Sequence, residues 1–246
     1  MDNLSMGRVL LAKEARRKDN IRRREPMLNI TEIFPSLQGE GIMIGTRMVF
    51  IRERGCNLRC SFCDTKYSWD QGQEMSEDDI VKEVLKYDMH WVDISGGEPL
   101  IQSNEILLEK LYKAKIQVMI ETNGTIFNQT VFEQVDISSV SPKLQAINFD
   151  ILTEIYRVSA NMQLKFVIDD TRDVLTVYNI LHQLKMRFPV NLIPIVLQPN
   201  GMVTFDKYLE NLKSLWNVII DPHWKMYDIR VIPQLHRILF GQKRGI

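Results

Sequence analysis

The chain has 246 residues, of which 45% are hydrophobic, so it is long enough to form one large α/β domain around a single core. Its 31 lysine and arginine residues balance its 31 aspartate and glutamate residues. This balance excludes the global positive field that attracts nucleic acid or anionic membranes, and it favours a small-molecule partner. No apolar run reaches the roughly 18 residues of a membrane span, and no secretory signal pattern is present. We therefore expect a cytoplasmic protein with no membrane and no nucleic-acid partner.

Residues 1–26 differ from the rest of the chain because they contain eight basic residues without a sustained apolar stripe. A solvated charge run is the common outcome of such a composition, so we predict a basic N-terminal extension that is disordered or accessory. A contact with nucleic acid or with a protein partner is the alternative. Recognisable core sequence begins directly after Met27, so we expect the folded domain to occupy residues 27–246.

From Leu28 onwards, short β-rich runs alternate with stretches of helical periodicity, which is typical of β-α units and a parallel sheet. Amphipathic periods predict helices near residues 80–85, 104–115 and 174–184. The side chains expected to face the core from the second of these helices are Ile106, Leu107, Leu108, Leu111 and Tyr112. The predicted strands are 29–34, 48–53, 91–95, 117–121, 137–141, 162–168, 192–197 and 228–232.

Right-handed crossovers between parallel strands would curl such a chain into a barrel or partial barrel. The carboxyl ends of all these strands then meet at one end of the barrel. Four motifs directly follow predicted strands, namely a cysteine-rich loop and the segments at 95–99, 121–124 and 141–143. The sequence therefore predicts an α/β fold with a ligand site at the carboxyl ends of its strands.

Cys56, Cys60 and Cys63 are the only cysteines in the chain, and their spacing is C-x3-C-x2-C. Three thiolates on one loop suit a [4Fe-4S] cluster that is one protein ligand short, because the remaining iron can bind a small molecule directly. A structural zinc site is the alternative, but zinc takes four ligands and His90 lies outside the usual spacings. An odd number of thiols in one loop also argues against a disulfide framework and for a reducing compartment.

The Ser-Gly-Gly-Glu-Pro segment at residues 95–99 is the second informative motif. Two glycines at a strand end let the backbone approach a ligand, although a tight turn is the alternative. Together with the cysteine motif, this segment resembles the S-adenosylmethionine (SAM) motif of radical SAM enzymes. The resemblance implies a partial (β/α)6-type barrel, whose helices are reduced in compact members, and a radical SAM catalytic domain over residues 27–246. The SAM contacts that it implies are Gly97, Glu98 and, on the cysteine loop, Phe62, Cys63 and Asp64.

Polar residues also follow three later strands. Glu121 and Asn123 emerge abruptly from an apolar strand, where polar side chains suit recognition of a hydroxyl or carboxylate; an Asn-Gly turn is the alternative. Lys143 is placed to meet the SAM carboxylate as a point charge. We predict that Glu121 contacts the substrate. The residues predicted to contact SAM are Asn123, Ser141, Lys143 and Gln198.

Four segments narrow the resemblance: Pro-Ser-Leu-Gln-Gly-Glu-Gly at 35–41, Phe-Ile-Arg at 50–52, Cys-Asp-Thr at 63–65 and the C-terminal residues 233–246. In combination they resemble the 7-carboxy-7-deazaguanine synthase family of the queuosine and 7-deazapurine pathway. The resemblance implies a carbon-nitrogen lyase that converts 6-carboxy-5,6,7,8-tetrahydropterin to 7-carboxy-7-deazaguanine with release of ammonia. It implies that an electron from the cluster cleaves SAM and that the resulting radical abstracts hydrogen from C6 of the pterin.

The same resemblance implies a substrate site and further partners. A glutamine offers a donor and an acceptor to a heterocycle edge, and an arginine fork matches a carboxylate. Thr65 matches the family position that binds Mg2+, for which a hydroxyl is an acceptable hard ligand; a turn residue is the alternative. A homodimer and a reductant such as flavodoxin or ferredoxin are also implied. The implied pterin contacts are Leu37, Gln38, Gly39, Glu40, Arg52, Ser95 and, through its terminal carboxylate, Ile246.

The histidines provide little information about function. His90, His182, His223 and His236 are scattered along the chain, and we assign none of them to catalysis. Among the four tryptophans, Trp69 is the one expected to approach the site, because it lies just past the cysteine loop.

Three other functions compete with the lyase. A glycyl-radical activating enzyme also uses C-x3-C-x2-C in a compact chain, but it needs a partner polypeptide, and the pterin-contact motifs argue against it. A simple iron-sulfur electron carrier is a second possibility. An iron-sulfur nucleic-acid binder that uses the basic N-terminal segment is a third. Neither of the last two would need the Gly-Gly-Glu-Pro segment.

Overall fold

A computed structural model of the protein describes residues 27–241 and Lys243. The predicted basic extension at residues 1–26 and the predicted substrate contact Ile246 lie outside the described residues. Within residues 27–241, no helix combines the length and the hydrophobicity that a membrane crossing requires.

The described strands form one nine-stranded sheet in the order β3-β1-β2-β4-β5-β6-β7-β8-β9. The strands are β1 (Met27–Leu37), β2 (Arg47–Glu53), β3 (Gln73–Ser76), β4 (Trp91–Gly96), β5 (Gln117–Thr122), β6 (Ile137–Val140), β7 (Met162–Ile168), β8 (Pro194–Pro199) and β9 (Asp228–Val231). All eight predicted strands are confirmed. β3 was not predicted, because this four-residue edge strand has exposed polar residues at its start and no apolar alternation.

The helices are α1 (Glu77–Leu85), α2 (Glu105–Lys113), α3 (Gln129–Gln134), α4 (Phe149–Val158), α5 (Thr171–Lys185), α6 (Phe205–Ile219) and α7 (Leu235–Phe240). One helix lies in each crossover from β2 to β9, so the expected reduction of helices is limited to the six residues of α3. The strands β2 and β4–β8 provide the six parallel strands of a partial (β/α)6 barrel, and β9 extends it in parallel.

The start of the sheet departs from the expected parallel arrangement. β1 pairs antiparallel with both β2 and β3. Only residues 38–46 connect β1 to β2, and a parallel pair needs a crossover of about a dozen residues or more. The short connection therefore forces an antiparallel hairpin onto the edge of the parallel sheet.

The two faces of the sheet have different chemistry because successive side chains point to opposite faces of a strand. Val92 and Ile94 of β4 belong to the main apolar core, together with residues of the covering helices. Asp93 and Ser95 alternate with them and are also buried. The helix-covered face is therefore apolar, whereas the opposite, inner face is polar near the strand ends.

Helix α2 corrects one sequence prediction. Leu107, Leu108 and Leu111 are buried as expected, but Ile106 is 42% exposed and Tyr112 is 81% exposed. The buried stripe is formed by Asn104 and these three leucines, at positions i, i+3, i+4 and i+7. Ile106 lies off this stripe, and Tyr112, at i+8, lies at its edge near the end of the helix.

We expect the Phe166→Ala variant to lose about 3–5 kcal/mol of unfolding free energy, because Phe166 is fully buried and the truncation leaves a cavity in the main core. Urea denaturation followed by circular dichroism measures this change. The matched control is Tyr112→Ala on an exposed helix surface, with an expected change within about 0.5 kcal/mol. Equal losses in the two variants would contradict the assignment of the core.

Candidate active site

A cavity of about 510 Å³ opens at the carboxyl ends of the parallel strands. All four predicted motif segments contribute to its wall, which confirms that they gather at one end of the barrel. Among the described residues predicted to bind SAM, substrate or metal, Glu98 alone is not on this wall. Those on the wall are Leu37, Gln38, Gly39, Glu40, Arg52, Cys56, Cys60, Phe62, Cys63, Asp64, Thr65, Ser95, Gly97, Glu121, Asn123, Ser141, Lys143 and Gln198.

The cluster loop, residues 54–64, leads from β2 to a short 3-10 helix at Lys66–Trp69. The Arg59 guanidinium donates a hydrogen bond of 2.5 Å to the carbonyl oxygen of Cys56. The same guanidinium lies 4.9 Å from the centroid of the Trp69 ring, which is within the range of a cation–π contact. Trp69 is also on the cavity wall, as predicted from its position after the loop.

Cys56, Cys60 and Cys63 are free thiols, each partly exposed on the cavity wall. Burial raises the pKa of Cys56 and of Cys60, and the neighbouring thiols raise both pKa values further. Three thiolates this close together are stable only when a bound cation neutralises them, and metal binding displaces the thiol protons. The loop therefore offers three thiolate ligands, which fits a [4Fe-4S] cluster with one iron left open.

The Gly-Gly loop packs directly against the cluster loop. The backbone N–H of Gly97 donates to the carbonyl of Glu53 at 3.1 Å, and that of Glu98 donates to the carbonyl of Gly55 at 2.8 Å. A Cβ atom at Gly97 would overlap the Gly55 carbonyl, and Gly96 has φ of +132°, which residues with side chains rarely adopt. Glycine is therefore required at both positions to bring the two loops together.

Glu98 is fully buried and is not part of the cavity wall, so its contact with SAM stays a prediction. Its carboxylate accepts hydrogen bonds from the Thr122 hydroxyl at 2.7 Å, the Asn123 backbone N–H at 2.7 Å and the Leu100 backbone N–H at 3.1 Å. Burial raises the pKa of Glu98, and these hydrogen bonds oppose the rise. Glu98 thus ties the Gly-Gly loop to the end of β5 and positions its neighbour Gly97.

Glu53 lies beneath the same loops, and its side chain is fully buried. Its Oε2 accepts from Gln102 Nε2 at 3.0 Å and from Asn104 Nδ2 at 3.4 Å. Its Oε1 has no hydrogen-bond partner among residues 27–241. Burial raises the pKa of Glu53 to about 8, since the ionised carboxylate would be poorly solvated there.

Asn123 connects the end of β5 to the cluster loop. Its side-chain Nδ2 donates to Asn57 Oδ1 at 2.9 Å, and Asn57 in turn donates to the Thr125 hydroxyl at 2.8 Å. The Asn123 Oδ1 atom accepts from the backbone N–H of Thr125, as in an Asx turn. Asn123 therefore has the turn role that we considered as an alternative, and it is also on the cavity wall.

Ser141 and Lys143 follow β6 on the cavity wall, and Lys143 Nζ donates to Ser141 Oγ at 2.8 Å. Burial lowers the pKa of Lys143, and the positive charge of Lys165 lowers it further. An anionic group in the cavity would favour the charged lysine. The predicted contact of Lys143 with the SAM carboxylate stays a prediction.

An ion triad of Glu40, Glu121 and Lys165 lies at the base of the cavity. Lys165 Nζ is 2.5 Å from Glu40 Oε2 and 2.8 Å from Glu121 Oε1. Burial opposes ionisation of Glu40, but Lys165 and then His236 hold its pKa well below the ordinary value. Likewise, the two carboxylates overcome the effect of burial and raise the pKa of Lys165. Glu40 and Lys165 are therefore both charged near neutral pH.

Gln38 is buried between the triad and β4. Its Nε2 donates to Asp93 Oδ2 at 2.6 Å, and its Oε1 accepts from the backbone N–H of Glu40 at 3.0 Å. Burial raises the pKa of Asp93 well above its ordinary value, and Glu121 adds to this rise. Because an amide nitrogen carries two hydrogens, Gln38 keeps one donor for a ligand while it fixes the loop that carries Glu40.

Arg52 has a fixed orientation on the cavity wall. Its Nε donates to Glu32 Oε1 at 2.7 Å, and the Tyr67 hydroxyl donates to the same carboxylate oxygen at 2.7 Å. The guanidinium carbon lies 5.6 Å from the Phe34 ring centroid and 5.9 Å from the Tyr67 ring centroid. The remaining N–H groups of this arginine suit pairing with a carboxylate in the cavity.

Sequence analysis missed Lys165, Asp93 and His236. Lys165 and His236 are on the cavity wall, and Asp93 lies off it but accepts a hydrogen bond from the wall residue Gln38. Lys165 and Asp93 were detectable, because each is a charged residue that alternates with core residues inside an apolar strand. His236 was not, since its position depends on a long-range contact. Its Nε2 lies 4.0 Å from Glu40 Oε1, and its ring lies where a Cβ on Gly39 would be.

Comparison with known proteins defines the class and then the family. The family described as the Radical SAM superfamily matches residues 51–181, just over half of the chain, so this protein is a radical SAM enzyme. The 7-carboxy-7-deazaguanine synthase of Thermoplasma acidophilum is 30% identical over 224 residues, covering 88% of this chain and 99% of that protein. The synthase of Pyrobaculum aerophilum is 34% identical over 228 residues, covering 89% and 98%. The chain belongs to the 7-carboxy-7-deazaguanine synthase family.

A solved structure supports the fold. The crystal structure of QueE from Escherichia coli matches with a TM-score of 0.65 at 24% sequence identity. The match covers 85% of this chain and 95% of that chain. The partial-barrel architecture predicted from the sequence is therefore confirmed.

We expect the Glu53→Gln variant to flatten the pH dependence of stability. The pKa of Glu53 is about 8 in the folded protein, against about 4.3 for an unfolded glutamate. A raised pKa stabilises the fold fully below about pH 4.3, and this stabilisation is lost as the pH rises through about 8, by at most about 1.4 kcal/mol per pH unit. Glutamine mimics the protonated side chain, so the variant lacks this loss.

Urea denaturation at several pH values between about 5 and 8 tests this prediction. Glu74→Gln, at an exposed position of β3, is the matched control and should keep the wild-type pH dependence. A Glu53→Gln variant with the same slope as the wild type would show that Glu53 does not carry the proton.

Proposed function

We propose that this chain is a 7-carboxy-7-deazaguanine synthase, a carbon-nitrogen lyase that converts 6-carboxy-5,6,7,8-tetrahydropterin to 7-carboxy-7-deazaguanine and ammonia. The observation that carries the proposal is that the three-cysteine loop and the ion triad of Glu40, Glu121 and Lys165 line the same cavity. The family relationship supports the same activity over nearly the whole length of two relatives.

The proposed cofactors are a [4Fe-4S] cluster and SAM. Cys56, Cys60 and Cys63 would hold the cluster, and the backbone at Gly97 would meet the amino group of SAM. When bound, the two cofactors supply the one-electron chemistry that removes a hydrogen atom from the substrate. The other proposed SAM contacts on the cavity wall are Phe62, Asp64, Asn123, Ser141, Lys143 and Gln198.

The proposed pterin site lies beside the triad. Arg52 would pair with the substrate carboxylate, and Gln38, Ser95 and Glu121 would face the heterocycle edge. The missing side chain of Gly39 makes room for the His236 ring, which joins the cavity wall beside the proposed pterin site. Leu37, which is 46% exposed, would cover the mouth of the cavity. The chain's own contribution is to orient the ring and to exclude water from the reacting carbon.

The decisive assay uses the anaerobically reconstituted and reduced protein with SAM and 6-carboxy-5,6,7,8-tetrahydropterin. We expect formation of 7-carboxy-7-deazaguanine and ammonia without any second polypeptide. Cys56→Ala should lose cluster assembly and turnover together, because a cubane held by three thiolates then lacks a ligand. Iron content and mass spectrometry of the product are the measurements.

Two outcomes would exclude the proposal. Cleavage of SAM with no change in the pterin would favour an activating enzyme that needs a protein partner. A reducible cluster that neither binds nor cleaves SAM would favour an electron carrier. Full activity with an intact cluster in Cys56→Ala would refute the assignment of the cysteine ligand.

We further propose that Thr65 contributes a hydroxyl ligand to a magnesium ion that meets the substrate carboxylate. Its Oγ1 is on the cavity wall, 3.2 Å from Asp64 Oδ1 and 3.6 Å from Cys63 Sγ. A hydroxyl next to a carboxylate is a donor set of the hard oxygen type that magnesium prefers. The family resemblance supports this role.

Thr65→Val should lower pterin turnover at least about tenfold and abolish its stimulation by added magnesium, because the methyl group removes one oxygen ligand. Rates measured across a magnesium titration, alongside iron content, test this expectation. Thr176→Val on α5, whose hydroxyl donates to the Arg172 carbonyl, is the control and should keep the wild-type response. An undiminished magnesium response in Thr65→Val would place the ion elsewhere.

The family resemblance also supports a homodimeric, cytoplasmic enzyme reduced by a flavodoxin or a ferredoxin. The catalytic domain would then correspond to residues 27–246, preceded by the basic extension at residues 1–26.

A further inference from the structure

The ion triad joins three separate elements of the fold at the base of the cavity. Glu40 follows β1, Glu121 is the penultimate residue of β5, and Lys165 is in the middle of β7. The side chain of Lys165 is only 5% exposed, whereas those of Glu40 and Glu121 are 14% and 23% exposed. The buried cation therefore lies behind the two carboxylates, and Glu121 is the member most open to the cavity.

Lys165 is held in this position by its own strand. Leu164 and Phe166, on either side of it, are fully buried in the main core on the opposite face of the sheet. A shift of β7 by one residue would move the Lys165 ammonium to the apolar, helix-covered face. The register of β7 with its neighbouring strands is therefore strongly determined. Gln163, two residues earlier on the inner face, donates to Ser139 at 2.8 Å. The ammonium is thus fixed by the core rather than by the flexible end of a surface side chain.

The two carboxylates of the triad differ in the hydrogen bonds that they accept. Besides Lys165, Glu40 accepts from Gln198 Nε2 at 2.9 Å and from Gln234 Nε2 at 2.7 Å. Glu121 accepts from Lys165 through Oε1, and its Oε2 receives one long hydrogen bond of 3.4 Å from Ser95. Glu40 is therefore an anchor, while Glu121 keeps acceptor capacity directed at the cavity.

Removal of the shared cation would change the protonation of this pair. Two neighbouring, partly buried carboxylates repel each other, so loss of the shared cation favours protonation of one of them. Glu40 would keep its two glutamine donors, but Glu121 would lose its shortest hydrogen bond. Glu121 is therefore the group that would take up a proton.

We infer that Lys165 is a positioning residue that keeps Glu121 ionised and aimed, so that Glu121 accepts hydrogen bonds from a ligand edge bearing adjacent N–H donors. The 2-amino-4-oxopyrimidine ring of a pterin has such an edge, and the inference rests on the proposed function in this respect. The paired oxygens of an ionised carboxylate match two parallel N–H donors, whereas a protonated carboxyl replaces one acceptor by a donor.

Other charged and titratable groups face the triad from the surrounding elements. Those groups are Arg52 of β2, Asp64 of the cluster loop, Asp93 of β4, Lys143 after β6 and His236 of α7. Lys165 lowers the pKa of both Asp93 and Lys143, so Lys165→Met raises these two pKa values as well. Lys165→Arg keeps the charge and is therefore the control for these effects.

The first test measures the dissociation constant of 6-carboxypterin, a stable pterin probe, for the reconstituted holoenzyme by anaerobic equilibrium dialysis. We expect Lys165→Met to bind about tenfold or more weakly than the wild type near pH 6. The ratio of variant to wild-type dissociation constants should then fall as the pH rises towards about 8, because a higher pH ionises Glu121 again. Lys165→Arg, which keeps the charge, should show a ratio that does not vary with pH.

The second test needs no ligand. In Lys165→Met, a carboxyl whose folded pKa exceeds the unfolded value of about 4.3 stabilises the fold at low pH and loses that effect as the pH rises. The difference in melting temperature between wild type and variant should therefore grow as the pH rises above about 4.3, the unfolded value. The control is Lys113→Met, at an exposed ion pair with Glu109, for which a small and constant difference is expected.

The outcomes separate this inference from the proposed function. If the wild type binds 6-carboxypterin and the binding ratio for Lys165→Met is the same at every pH, Lys165 is a packing residue and the inference is wrong. A stability difference that does not change with pH overturns it as well. If the wild type fails to bind 6-carboxypterin at all, both the proposed function and the assigned role of Lys165 fail.

Discussion

The close approach of Gly97 to the carbonyl of Gly55 is the constraint on which the rest of the site depends. Because neither Gly96 nor Gly97 can carry a side chain there, two backbone hydrogen bonds hold the Gly-Gly loop against the end of β2 and the start of the loop with the three cysteines. Glu98 extends the same connection to the end of β5. Loops from three neighbouring strands thus form one unit, which keeps the thiols at a fixed position relative to the cavity.

The sheet that carries these loops has one apolar and one polar face, and both follow from strand alternation. Each strand that gives the main core residues such as Ile94 and Phe166 must direct the residues between them, such as Asp93 and Lys165, to the inner face. Buried polar groups are tolerated there only because they are paired with one another. Burial of the apolar residues in the core therefore fixes the charged residues between them on the inner face, near the base of the cavity.

Much of this architecture was predictable, because the apolar strands and the amphipathic helices near 80–85 and 174–184 have strong periodic patterns. The antiparallel start of the sheet was not, since it depends on the length of the connection between β1 and β2 rather than on a residue pattern. Ile106 and Tyr112 were misplaced because a hydrophobic residue near the edge of a helix stripe has no local signal for its burial.

The sequence by itself determined the chemistry of the protein, since three cysteines on one loop and two adjacent glycines act through local spacing. Tertiary structure decided which charged residues reach the cavity. It turned Glu98 into a tie between loops, brought Lys165 and His236 to the cavity wall, and placed Asp93 off that wall as a hydrogen-bond acceptor for Gln38. The physical reason is that metal ligation on a loop depends on neighbours in the chain, whereas a buried charge is stabilised by partners from distant strands.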